Sequence, residues 1–75
     1  MDDICVLFGN KVREYRTEKR ISQEEFASIV GLHRTYISAV ERGRRSIALQ
    51  NIKKIADALG IEVYRLFIFT EEIDE

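Results

Sequence analysis

The sequence predicts an all-α fold, in which five helices form one compact bundle. The 75 residues include no proline, so no position is barred from a helix interior. Apolar residues recur three or four positions apart, which is typical of amphipathic helices. Gly31, Gly43 and Gly60 follow such segments and are suited to the left-handed conformation that ends helices. A chain of this length predicts one domain over residues 1–75, with a small core that would gain stability from a second subunit.

The first helix is predicted over residues 3–19. One apolar stripe runs along it, formed by Ile4, Phe8, Val12 and Tyr15.

The second helix has a well-marked start. Ser22 and Glu25 have the spacing of a capping box, and the sequence therefore predicts that the helix begins at Gln23. Ile21 and Phe26 flank this cap in the manner of a hydrophobic staple. Its buried side is predicted to consist of Phe26, Ile29 and Val30.

The third helix follows after a tight turn at Gly31. Ile37 and Val40 are predicted to face inward, while Leu32 anchors the connection. Small Ala27 allows the second and third helices to approach closely. These features predict a helix-turn-helix over about residues 23–42, whose second helix can enter the major groove of DNA.

Two further helices are predicted near residues 49–59 and 63–67. The fourth is expected to bury Leu49, Ile52, Ile55, Ala56 and Leu59. The acidic residues at the end of the sequence, within 71–75, are expected to fray.

Charge is unevenly distributed along the chain. The formal net charge is −1, yet residues 11–45 contain nine Lys or Arg and five Asp or Glu, whereas residues 46–75 contain three and six. Such asymmetry can give one face a positive field that attracts nucleic acid, although ordinary solvated helix faces would explain the charges equally well.

Candidate DNA-binding residues lie in the third helix and the loop after it. Arginine can bond guanine through two hydrogen bonds, threonine can contact a thymine methyl, and serine can bond a base edge or a phosphate. Arginines in the loop can hold the phosphate backbone. We therefore expect base contacts from Arg34, Thr35 and Ser38, and backbone contacts from Arg42, Arg44 and Arg45. Tyr36 is a further donor and acceptor in the exposed half of the same helix.

At these residues the chain resembles the Cro and phage-repressor type (XRE-like) helix-turn-helix regulators. The resemblance covers about residues 8–67 and is carried by Gln23, Ala27, Gly31, Leu32, Ile37, Ser38, Glu41, Gly43 and the segment IKKIADALGI. Within that family, the chain is most similar to the small controller proteins of bacterial restriction-modification systems. His33 departs from the Ser, Thr or Asp often found at the start of the third helix in the family.

The resemblance implies a lambda-repressor-like domain that binds a pseudo-palindromic double-stranded operator as a homodimer and regulates its own gene. It implies the same base contacts from Arg34, Thr35 and Ser38, and it places Gln23 and Tyr36 at or near the DNA backbone. RNA polymerase is a further candidate partner of such a regulator.

The dimer is expected to form through the C-terminal region, at about residues 46–70. A small core leaves too little protein to cover all of the apolar residues there, and pairing through this region leaves both recognition helices free. The predicted interface residues are Ile47, Val63, Phe67, Ile68 and Phe69.

Other interpretations remain open at several residues. Gln23 suits a solvated first turn, Tyr36 suits packing against the second helix, and Arg44 and Arg45 suit an ordinary loop. A phage-type repressor or antitoxin regulator is the main alternative function, and a protein-interaction adaptor is the next.

Enzymatic, metal-binding and membrane functions are not expected. Cys5 and His33 are single residues of their types, which argues against a catalytic or metal cluster. No cofactor or small-molecule ligand is predicted. No apolar run approaches the roughly 20 residues of a membrane span, and the acidic N-terminus is unlike a signal peptide, so the bacterial cytoplasm is the expected location.

Overall fold

The computed structural model describes residues 3–69, which fold into four α-helices and one short 3₁₀ helix. The α-helices are α1 (Ile4–Glu18), α2 (Gln23–Val30), α3 (Arg34–Glu41) and α4 (Leu49–Leu59). The 3₁₀ helix spans Val63–Phe67. The prediction of five helices is thus corrected in its last element, because this five-residue segment forms a 3₁₀ helix. The predicted frayed acids lie outside the described residues.

The predicted helix boundaries are largely confirmed. Ser22 caps α2 by accepting a hydrogen bond from the Glu25 backbone N–H at 3.0 Å. Asp3 caps α1 in the same way through the Cys5 backbone N–H at 2.8 Å, a cap that the sequence analysis did not identify. The three predicted terminator glycines all have positive φ, and they lie just after α2, α3 and α4.

The core lies where all five elements meet. Its fully buried large side chains come from every element: Val12, Phe26, Ile37, Val40, Ile55, Leu59 and Leu66. Leu66, which the sequence analysis did not single out, anchors the 3₁₀ helix with its side chain fully buried. The 3₁₀ helix therefore closes the core at the place where a fifth α-helix was predicted.

Ile29 and Leu49 were expected to be buried but are exposed, and Ile4 of the predicted apolar stripe is exposed as well. On α2 the buried arc contains Phe26, Ala27 and Val30, and Ile29 lies outside it with 54% of its surface exposed. Ile4 and Leu49 are in register with their buried stripes but lie at the first positions of α1 and α4, where 55% and 80% of their surfaces are exposed. The periodicity of apolar residues predicted the correct side of each helix for Ile4 and Leu49. It did not show that the core fails to reach the first turn of either helix.

Helices α1 and α3 approach each other at Gly9. A Cβ atom on Gly9 would lie 2.7 Å from the backbone oxygen of Glu41 and 2.9 Å from its carbonyl carbon. The absence of a side chain at Gly9 is therefore what allows the backbone of α3 to lie against α1.

Candidate nucleic-acid interface

The turn between α2 and α3 requires glycine for its backbone conformation. Gly31 has φ 86° and ψ 30°, and its N–H donates to the Ala27 carbonyl at 2.8 Å. A Cβ atom there would meet nothing within 4 Å, so conformation and not space selects glycine. Ala27 is 3% exposed at this end of α2. The predicted tight turn at Gly31 is therefore confirmed.

Helix α3 has one buried face and one polar face. Ile37 and Val40 are buried in the core, whereas Arg34 and Thr35 in the first turn are exposed. His33 is the N-cap residue, and its side chain makes no capping hydrogen bond. Arg34 and Thr35 thus lie at the solvent-facing start of the helix, where the prediction of base contacts requires them to be.

Ser38 and Arg42 lie one turn apart and interact directly. An Arg42 guanidinium nitrogen donates to the Ser38 hydroxyl oxygen at 2.7 Å. This bond uses one acceptor position of the hydroxyl and leaves its proton free to be donated. Ser38, a predicted base contact, and Arg42, a predicted backbone contact, are therefore joined by a hydrogen bond.

Tyr36 lies at the centre of a second polar cluster. Its ring is partly buried against the core, and its hydroxyl oxygen accepts a hydrogen bond from Asn51 Nδ2 at 3.2 Å. The Arg45 guanidinium carbon lies 5.0 Å from the centroid of the Tyr36 ring, a cation–π geometry. Arg44 and Arg45 are both exposed in the loop after α3, but only for Arg45 does a ring contact define a place beside that helix.

A concavity of about 440 Å³ opens between α3 and the start of α4. Its lining contains three predicted DNA contacts, Thr35, Tyr36 and Arg45, and three other residues, Leu32, His33 and Asn51. Asn51 was not among the predicted DNA contacts. In the sequence Asn51 is simply a polar residue in the first turn of a regular amphipathic helix, and nothing there indicates a role in DNA binding.

Gln23 is connected to a buried ion pair. Its side-chain Nε2 donates to Glu41 Oε1 at 2.9 Å, and Arg16 donates to both oxygens of the same carboxylate. Gln23 is thus not a freely solvated first-turn residue. One of its two amide protons remains available, which is compatible with the predicted contact to the DNA backbone.

Two of the five predicted dimer residues line an apolar groove of about 260 Å³. Ile47 and Phe67 line it together with Ile4, Cys5, Phe8, Ile52, Arg45 and Ser46. Phe67 is 39% exposed and lies 5.3 Å from Phe8 and 6.0 Å from Phe69, measured between ring centroids. Val63, Ile68 and Phe69 are half-buried.

Residues 3–69 show neither a metal-binding group of three or more His, Cys, Asp or Glu side chains nor a helix that is long and apolar enough to cross a membrane.

Comparison with known proteins gives one consistent result. A family model described as helix-turn-helix matches residues 12–66. Control protein C.MunI of a Mycoplasma species is 47% identical over 68 residues, which cover 89% of this chain and 92% of the relative. Control protein C.BamHI of Bacillus amyloliquefaciens is 50% identical over 70 residues, which cover 92% and 86%. The crystal structure of the restriction-modification controller protein C.AhdI from Aeromonas hydrophila superimposes with a TM-score of 0.82 and 51% identity, covering 84% of this chain and 96% of that one.

Proposed function

Because the chain belongs to the helix-turn-helix family and is a DNA-binding transcriptional regulator similar to restriction-modification controller proteins, we propose that it binds, as a homodimer, a pseudo-palindromic operator that controls its own gene. The observation that carries this proposal is the exposed polar start of α3, where Arg34 and Thr35 face solvent while Ile37 and Val40 fix the helix to the core. A helix held in this way can enter a major groove without disturbing the fold.

The proposed contacts divide into two groups. Arg34, Thr35 and Ser38 read base edges from α3. Gln23, Tyr36, Arg42, Arg44 and Arg45 contact the phosphates on either side and set the register of the helix in the groove.

The proposed dimer forms through the C-terminal segment. Phe67 leaves 39% of its surface exposed beside the apolar groove, and a second copy of the chain would cover both. A two-fold axis there would place the two recognition helices about 34 Å apart, one turn of DNA.

Identity at about half of the aligned positions to two control proteins favours the controller function over a phage-type repressor or antitoxin. The exposed Arg34 and Arg45 suit DNA better than a protein-adaptor function. RNA polymerase remains a candidate partner for activation.

Selection of bound sequences from a random double-stranded DNA pool tests the proposal. We expect enrichment of a two-fold symmetric sequence whose half-sites lie about 10 base pairs apart, or a multiple of that spacing. The selected sequence should also occur upstream of the gene for this chain. A pool without enrichment would refute sequence-specific binding, and an asymmetric single site would refute the homodimer.

A further inference from the structure

We propose that Asn51 is a positioning residue that orients the Tyr36 hydroxyl, so that the hydroxyl donates its proton to a phosphate of the DNA backbone. The inference rests on the proposed function and goes beyond it, because Asn51 acts through Tyr36 and is not itself a predicted contact. The two residues lie in the first turns of α4 and α3, and their side chains meet at 3.2 Å across the concavity described above.

The direction of this hydrogen bond determines what Tyr36 can do. A phenol has one proton and also accepts hydrogen bonds, whereas a phosphate oxygen only accepts. Because Asn51 Nδ2 is the donor, the Tyr36 oxygen is the acceptor and its proton points elsewhere. The hydroxyl is therefore held in the state that a phosphate requires.

Arg45 fixes the same ring from its face. Its guanidinium carbon lies 5.0 Å from the ring centroid, and both residues line the concavity. The phenol is thus restrained at its oxygen by Asn51 and at its face by Arg45. A phosphate entering the concavity would meet a prepared hydroxyl beside a positive charge, which lowers the ordering cost of binding.

The test is a double-mutant cycle on the operator obtained from the selection, using N51A, Y36F and the double variant. We expect N51A to weaken binding about 3- to 10-fold, in the range of one hydrogen bond. In the Y36F background, N51A should cause no further loss, because the group through which it acts has gone. An equal loss in both backgrounds would overturn the proposal, since Asn51 would then act independently of the hydroxyl.

The variant N51D tests the direction of the proton. An aspartate accepts the Tyr36 proton and so reverses the hydrogen bond, while its charge also repels DNA. Measuring N51D in the Y36F background isolates the repulsion. We expect a clearly larger loss when the hydroxyl is present, and equal losses would show that the proton does not reach the DNA.

Operators with single methylphosphonate substitutions locate the acceptor. One position in each half-site should remove the effect of N51A, and persistence of the effect at every position would refute a phosphate contact.

Thermal melting of each variant reports whether the fold is intact. If the wild type binds no operator, the proposed function fails. If it binds but the cycle shows no coupling, only the assignment of Asn51 fails.

Discussion

Arg16 and Glu41 form a bidentate ion pair between α1 and the last turn of α3. Arg16 Nε lies 2.7 Å from Glu41 Oε2, and a terminal guanidinium nitrogen lies 3.0 Å from Oε1. The Glu41 side chain is 2% exposed, and Arg16 also donates to the Ile21 carbonyl at 2.8 Å. Because Gln23 bonds the same carboxylate, the pair connects α1, the start of α2 and the recognition helix.

Removing one partner of this pair should destabilise the protein strongly. Arg16→Ala leaves a carboxylate buried without its counter-charge, which typically costs about 3 to 5 kcal/mol of unfolding free energy. Urea denaturation followed by circular dichroism measures the loss. An apolar pair, Arg16→Met with Glu41→Leu, should recover most of it, because a matched hydrophobic pair removes both desolvation costs.

Lys53→Ala is the control for loss of a positive charge. Lys53 and Asp57 lie 2.9 Å apart on α4, and the hydrogen bond and charge of Asp57 raise the pKa of Lys53. Both side chains are more than half exposed, so solvent screens the pair and the unfolding midpoint should hardly change. Equal losses of unfolding free energy in Arg16→Ala and Lys53→Ala would contradict the expectation that the buried ion pair contributes more to stability than the exposed one.

The sequence allowed the prediction of those features that depend on neighbouring residues. The Ser22 cap and the left-handed Gly31 follow from local backbone chemistry, and the inward faces of Ile37 and Val40 follow from periodicity. The proposed recognition surface could be predicted for the same reason.

Features that join distant segments could not be predicted in this way. Glu41 looks like an ordinary helix-terminal acid until α1 brings Arg16 against it, and Asn51 becomes part of the site only because α4 begins beside Tyr36. The exposure of Leu49 likewise depends on which element covers the start of α4. Each depends on a tertiary contact that no local pattern encodes.

Gly9→Ala tests a conflict between helix propensity and packing. In the middle of an isolated helix, replacing glycine by alanine stabilises the helix by about 1 kcal/mol. In this fold the added carbon would meet the Glu41 backbone at 2.7 Å, so we expect a net loss of about 1 to 3 kcal/mol. Asn10→Ala, at the exposed next position, should be neutral or slightly stabilising. A rise in melting temperature for Gly9→Ala would show that α1 and α3 separate without cost.

Arg34→Ala should relax the preference for one base in each half-site. Loss of a two-hydrogen-bond contact to guanine would cost about 1 to 3 kcal/mol of specific binding. Repeating the selection with the variant measures this directly. An unchanged selected sequence would remove Arg34 from base recognition.

Arg45→Ala should weaken binding to all sequences to a similar extent. If Arg45 pairs with a phosphate, its removal lowers the slope of log affinity against log salt by about one unit. Arg44→Ala should have the same signature, whereas Lys53→Ala should not, because Lys53 lies two residues beyond Asn51 and about 200° around the helix axis. A loss restricted to the operator, with the salt slope intact, would instead make Arg45 a base contact.

Phe67→Asp should abolish operator binding although it changes no proposed DNA contact. The charge would lie in the proposed dimer seam, beside Phe8 and Phe69, where a second subunit would desolvate it. Sedimentation should then show a monomer or an unfolded chain, and Phe67→Ala, which adds no charge, should retain more of the dimer.

Ile29→Asp is the matched control, because Ile29 is also an exposed apolar residue but lies on α2, outside the proposed seam. We expect that variant to sediment as the wild type does. A wild type that is monomeric at tens of micromolar and binds a single asymmetric site would exclude the two-fold arrangement.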